Sequence, residues 1–141
     1  MTAGRAFSWP VRVYWEDTDA GGIVFYANYL KFFERARTEW LRSLGFGQQA
    51  LRETSGGMFV VGETQVRYRR PARLDDELLV TAEVREIGRA SMTIAQQARL
   101  ASSDALLCEG TIRIGWVHAG TLQPARIPST ILEVLASQHE Q

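Results

Sequence analysis

The stretch Tyr26-Ala27-Asn28-Tyr29-Leu30-Lys31-Phe32-Phe33-Glu34-Arg35-Ala36-Arg37-Thr38-Glu39-Trp40-Leu41-Arg42-Ser43-Leu44, closed by Gly45, decides the fold. At helical periodicity Tyr26, Tyr29, Leu30, Phe33, Trp40, Leu41 and Leu44 share one face, and Lys31, Arg35, Thr38 and Arg42 the other. An apolar stripe this wide must be covered by another element, most fully over its N-terminal half. Gly45 stands where a helix stops on a left-handed residue. Phe32 widens the apolar surface to one side. Arg37 projects into the stripe, so it is expected to be buried and paired with a carboxylate, with Glu63 a candidate partner.

Working outward, Pro10–Glu16 alternates, with Val11, Val13 and Trp15 on one side, and reads as a half-buried strand. Beyond the helix, a loop containing Ser55-Gly56-Gly57 leads to extended segments at Phe59–Arg69, Leu78–Ile87, Ala90–Leu100 and Leu106–His118. They are punctuated by Arg70-Pro71, Gly88 and Ser102-Ser103-Asp104. In the third, Met92, Ile94, Ala98 and Leu100 share a face; in the fourth, Cys108, Ile112, Ile114 and Trp116 do. Pro128 to about Gln138 reads as a short helix, with Pro128 in its first turn or Ser129 as its cap. Consecutive strands with short links pair antiparallel. The expectation is an α+β domain over residues 1–141, a five-stranded antiparallel sheet wrapped around Tyr26–Leu44. There is no internal repeat or linker.

The 141 residues are 45% apolar and 23% charged, an ordinary globular balance. Sixteen Lys and Arg offset sixteen Asp and Glu, which gives no electrostatic pull toward nucleic acid and little repulsion between copies. One cysteine, Cys108, cannot form an internal disulfide, which suits a reducing compartment. Met1–Trp9 has no apolar run of the signal-peptide kind, and no stretch is long and apolar enough to span a bilayer. A cytoplasmic location is expected.

The chemistry sits just before the helix, in Tyr14-Trp15-Glu16-Asp17-Thr18-Asp19-Ala20-Gly21-Gly22-Ile23-Val24-Phe25-Tyr26. Three carboxylates precede two glycines and a helix start. Glycines allow a close approach to the backbone, and a helix start offers free N–H groups with partial positive charge. Acyl transfer needs a base or nucleophile and oxyanion donors at one carbonyl. On pattern alone, turn and capping residues are the commoner use of such a run; the aromatic sequence that follows favours a site. His118 and His139 have no partners at metal-ligand spacing, and no metal site is expected. Cys108 lies in an apolar strand and reads as a structural thiol. The basic run Arg67, Arg69, Arg70 and Arg73 fits phosphate contacts and a solvated strand face about equally.

The stretch Trp15–Tyr29 resembles the active-site signature of the 4-hydroxybenzoyl-CoA thioesterase family of hotdog proteins, a D-x-D-x-x-G-I/V-V segment leading into an aromatic-rich helix. Val11-Arg12-Val13-Tyr14, the Phe33–Glu39 segment and Tyr68-x-x-Pro71-Ala72-Arg73-Leu74-Asp75-Asp76 resemble the branch associated with the Tol-Pal envelope system. The resemblance runs from about Trp9 to Pro128. It implies an acyl-CoA thioesterase with no cofactor, with Asp19 as catalytic carboxylate, nucleophile or general base. It implies that the Tyr26 backbone N–H polarises the thioester carbonyl, that Gly22 and Val24 line the turn, and that Arg89, Ser91 and Arg126 contact the CoA nucleotide. Many members of that branch carry histidine at the position of Tyr26, whereas hydroxybenzoyl-specific enzymes carry tyrosine. Edge-to-edge dimers, often paired into tetramers, are implied, with each site between subunits and with envelope or lipid-metabolism proteins as possible partners. The rival readings are a dehydratase on the same fold, which needs a histidine near the helix start, and a non-catalytic acyl- or partner-binding module.

Overall fold

The computed structural model describes residues 6–140, and side chains as far as Gln138. Of the N-terminal stretch weighed above as a signal peptide, Met1–Arg5 lies outside the described residues. In chain order the elements are β1 (Phe7–Arg12), α1 (Asn28–Ser43), α2 (Gln48–Ser55), β2 (Gly57–Tyr68), β3 (Glu77–Ile87), β4 (Ser91–Leu100), β5 (Leu106–His118) and α3 (Ser129–Glu140). The strands form one antiparallel sheet in the order β1-β3-β4-β5-β2.

The sheet curls around α1. Phe32, Phe33 and Leu41 of the helix are fully buried, as are Leu78 and Val80 of β3, Met92 and Ile94 of β4, and Ile112 of β5. Such alternation is what a strand with one covered face must carry. The terminal helix α3 adds Ile131 and Leu135 to the same core and packs on β3.

Helix α1 ends as its sequence requires. Gly45 has φ 96°, its N–H donates to the Arg42 carbonyl, and the Phe46 N–H donates to the Leu41 carbonyl. These two bonds make a Schellman stop. At the other end the helix begins at Asn28 and not at Tyr26, which lies in the preceding turn. The buried line is Asn28, Tyr29, Phe32, Phe33, Ala36, Arg37, Trp40 and Leu41. Leu30, expected inside, is 43% exposed, because the sheet meets the helix on the side away from it. Phe32, on the flank of the expected stripe, is fully covered within the one chain, and the Arg35 guanidinium lies over its ring, 5.9 Å from the centroid.

Several local expectations are corrected. The first strand is Phe7–Arg12, not Pro10–Glu16. After Arg12 the chain leaves the sheet, Val13 exchanges backbone bonds with Asp75 and Asp76, and Trp15–Asp17 forms a single 3₁₀ turn that turns Trp15 out to 80% exposure. The segment before Ser55 contains α2, a short and mostly polar helix with no buried residue. Pro128 precedes α3, and its carbonyl accepts from the Ile131 and Leu132 N–H groups, so Ser129 is the first helical residue.

Arg37 is buried, as expected, but its partner is an amide. Its Nη1 donates to Gln96 Oε1 at 3.0 Å, and Gln96 Nε2 donates to the Phe33 and Thr81 carbonyls. Glu63 is exposed on β2 and paired across from Arg113. Gln96 sits on the central strand beneath the helix, where a neutral amide can bridge helix, strand and guanidinium at once. Burial depresses the Arg37 pKa, and nearby Glu34 partly offsets this.

Candidate active site

The segment between β1 and α1 folds into a small hairpin. Thr18 pairs with Val24, the Asp19 N–H donates to the Ile23 carbonyl, and the Gly22 N–H donates to the Asp19 carbonyl. Gly22 has φ 78°, a left-handed conformation that explains why the turn carries glycine there. The hairpin is braced by the link between β2 and β3. Ile23 bridges Arg73, the Val24 N–H donates to the Ala72 carbonyl, and the Leu74 N–H donates to the Gly22 carbonyl.

This frame treats the two aspartates differently. Asp17 is 3% exposed; its Oδ2 accepts from the Tyr14 N–H and its Oδ1 from Asn28 Nδ2, both at 2.8 Å. Asp19 is exposed, and its Oδ1 accepts from the Gly21 N–H at 2.8 Å. Asp19 Oδ2 has no protein partner among the described residues. So Asp17 is built into the structure, whereas Asp19 is oriented by one backbone bond and open to solvent.

The helix start lies a few residues on. The Phe25 N–H donates to the Asp17 carbonyl and the Asn28 N–H to the Phe25 carbonyl, while the Tyr26 N–H has no acceptor among the described residues. A free N–H at the positive end of α1 is what a developing oxyanion needs. Around it stand aromatic rings: Phe25 and Tyr26 are 4.9 Å apart, Tyr26 and Tyr68 6.1 Å, and Tyr29 and Tyr68 5.7 Å. Phe25, Tyr26 and Tyr68 are about half exposed or more, but Tyr29 is buried, with its hydroxyl accepting from the Ala72 N–H at 3.0 Å. Burial raises the Tyr29 pKa despite that bond, and raises that of Tyr68 as well.

Val24 is 4% exposed and belongs to the core, so it shapes the turn through its backbone; Gly22 is exposed at the tip. The three residues matched to nucleotide contacts are split. The Arg89 carbonyl accepts from the Ile127 N–H, which places Arg89 beside Arg126 in one surface groove at the start of α3. Ser91 lines a different groove, where its Oγ lies 3.5 Å from Arg113 Nη2. All of them lie at the far end of β3 from Asp19. Eleven extended residues separate the two ends, roughly 35 Å. Arg70 and Arg73 are exposed near the Asp19 end, and Arg69 pairs with Glu109 on the open face of the sheet. Cys108 is fully buried, and desolvation with neighbouring Glu109 pushes its thiol up to about 12, which removes it as a nucleophile.

Asp17 and Asn28 were not singled out as site residues from sequence. Asp17 lies in the quoted run, and its spacing of eleven from Asn28 carries no pattern that a sequence alone would reveal.

Residues 13–135 match the model of the thioesterase-like superfamily. The chain belongs to this family. Among curated members of the thioesterase-like superfamily, it is similar to the acyl-CoA thioesterase YbgC of Haemophilus influenzae, 47% identical over 96% of both chains. It is also similar to the acyl-CoA thioester hydrolase YbgC of Escherichia coli, 42% identical over 89% of this chain and 92% of that one. Of solved structures, a hypothetical protein from Aquifex aeolicus is 31% identical with a TM-score of 0.82, covering 92% of this chain and 98% of that chain. The 1,4-dihydroxy-2-naphthoyl-CoA thioesterase of Synechocystis is 20% identical with a TM-score of 0.85, over 93% and 96%, and speaks to the fold alone. The fold is the hotdog fold, and the resemblance read from Trp15–Tyr29 is borne out.

Proposed function

We propose that the chain hydrolyses an acyl-CoA thioester to free acid and CoA. The observation that carries this reading is the exposed Asp19 carboxylate, held by the Gly21 N–H on a glycine hairpin that leads to the Tyr26 N–H, unpaired among the described residues, in the turn just before α1. The Tyr26 N–H and the helix dipole stabilise the oxyanion. Asp19 either attacks the carbonyl carbon, forming a mixed anhydride that water then hydrolyses to free acid and the regenerated carboxylate, or takes the proton of a water that attacks directly; in both routes the thiolate of CoA leaves and is protonated. The relatives' printed activities, acyl-CoA thioesterase and thioester hydrolase, support the same chemistry. A dehydratase has less support, since His118 sits at the far end of β5 with its Nδ1 accepting from the Gly120 N–H.

The same reading assigns the CoA phosphates to Arg89 and Arg126, with Ser91 nearby, through charge-assisted bonds. Asp19 and these arginines are too far apart in one protomer to share a ligand easily, which favours a site shared by two copies. The sheet has two edges. The β1 edge is six residues long and carries Pro10; the β2 edge is twelve residues long and free of proline. A long unblocked edge is the one that pairs. Two β2 edges joined about a two-fold axis set the Tyr68 end of one against the Gly57 end of the other. The Gly57 end is the Arg89 end, because Gly57 pairs with His118 and the Trp116 N–H donates to the Ala90 carbonyl. The face turned away from α1, with Thr81, Ala95 and Gln97 half-buried and Thr111 exposed, carries no helix among the described residues and suits pairing of dimers into a tetramer. A reducing, cytoplasmic setting fits the single buried Cys108.

Thiol release from a panel of aliphatic and aromatic acyl-CoAs tests the function. Turnover of at least one is expected. Binding without release across the panel would leave the acyl-binding module as the better reading.

A further inference from the structure

The buried Asp17 is not part of the chemistry proposed above, yet it is the most heavily bonded side chain of the loop. One carboxylate oxygen takes the Tyr14 N–H, the other takes Asn28 Nδ2, and its own carbonyl takes the Phe25 N–H. Asn28 is itself 7% exposed and is the first residue of α1. Asp17 precedes Asp19 by two residues, and Asn28 follows Tyr26 by two. The pair thus ties together the two strands of chain that carry the candidate carboxylate and the candidate oxyanion donor. The brace from Ala72 and Arg73 holds only the returning strand, through Ile23 and Val24. Across the open end of the hairpin, the Asp17–Asn28 contact is the side-chain tie.

We propose that Asp17 and Asn28 are positioning residues that fix the Asp19 carboxylate relative to the Tyr26 N–H. This rests on the reading of Asp19 and Tyr26 given above. Neither side chain is accessible enough to touch a thioester, so their effect passes through backbone placement. Small misplacements of reacting groups lower rates steeply while leaving substrate binding elsewhere intact. The clamp therefore belongs to kcat, not to KM.

The chemistry of the pair supplies its own control. Asn28→Asp sets two buried carboxylates against each other, and the added substitution Asp17→Asn restores one acid, one amide and both bonds. Each variant is assayed with the acyl-CoA turned over best by the unaltered chain, well below its melting temperature, with the folded fraction fixed by circular dichroism. Asn28→Asp is expected to lose at least ~30-fold in kcat per folded molecule with KM within ~3-fold. The double variant should recover to within ~5-fold of the unaltered chain. Asn28→Ala, which tolerates loss of the donor better, should fall between them. Asp19→Asn is run alongside. If it is inactive while Asn28→Asp and Asn28→Ala both keep normal kcat, the clamp is refuted and the site stands. If Asp19→Asn turns over normally, the underlying site is wrong. A loss in Asn28→Asp that the second substitution does not restore, with both proteins folded, also overturns the proposal.

Discussion

At the scale of single residues, two aspartates two positions apart have opposite fates, and their surroundings explain why. Asp17 has both oxygens engaged inside the protein, whereas Asp19 has one oxygen held by a glycine N–H and one left over. Asp19→Asn keeps the hydrogen-bond acceptor for Gly21 but removes the charge, so the fold should persist while kcat falls at least ~10²-fold and KM changes much less. Asp17→Asn should do far less, because a turned Asn28 amide can accept from the new amide and the Tyr14 N–H keeps its acceptor. Steady-state kinetics of both variants check this, and equal losses at the two positions would mean that the wrong carboxylate was chosen. A second residue-scale expectation concerns Arg37. Gln96→Leu leaves its buried guanidinium without an acceptor and should destabilise by about 2–3 kcal/mol. Adding Arg37→Met should return most of that, since an apolar pair no longer buries a charge. Urea unfolding of the single and double variants measures both, and a double variant no more stable than Gln96→Leu would contradict the pairing.

At the scale of elements, β2 and β5 meet at a position where no side chain fits. A Cβ at Gly57 would fall on the Trp116 indole ring, at the start of the strand that follows α2. Gly57→Ala should therefore force the ring or the strand aside and cost about 1–3 kcal/mol, read as a lower urea midpoint at unchanged slope. Most of the elements were legible in the sequence, because burial on one face imposes a period. Met92, Ile94 and Ala98 announce β4; Ile112, Ile114 and Trp116 announce β5; and Gly45 announces the end of α1. What escaped was decided by contacts between distant segments. The Val11, Val13, Trp15 alternation continues past the point where Asp75 and Asp76 draw Val13 out of the sheet, so Trp15 looked inward and points outward. Helix α2 is eight residues long and offers the core one large apolar side chain, the half-buried Leu51, which is too little to mark a repeat. At the candidate site the Asp19 run was readable as chemistry. The Asp17–Asn28 tie and the choice of Gln96 for Arg37 depend on which strands meet beneath α1, and no spacing encodes that.

At the scale of the whole molecule, the protomer carries two unfinished features, and one arrangement answers both. The long β2 edge has no partner strand on its outer side among the described residues, and near its Tyr68 end lie the exposed rings of Phe25, Tyr26 and Tyr68. The candidate catalytic turn and the Arg89–Arg126 groove stand at opposite ends of the same sheet. Antiparallel joining of two β2 edges covers the edge and brings one copy's groove toward the other's turn. Isologous contacts of this kind close as dimers and do not run on into fibres. Association and turnover should then fall together. Light scattering should give at least twice the protomer mass of 15.8 kDa. Val61, half exposed on β2, is the place to test the link, because Val61→Lys adds a charge where the edges would meet and leaves the core untouched. That variant should shift toward monomer and lose acyl-CoA turnover in proportion, with its circular dichroism unchanged. Raising its concentration should restore both by mass action. A protomer-sized species that retains full activity would overturn the shared site as well as the dimer.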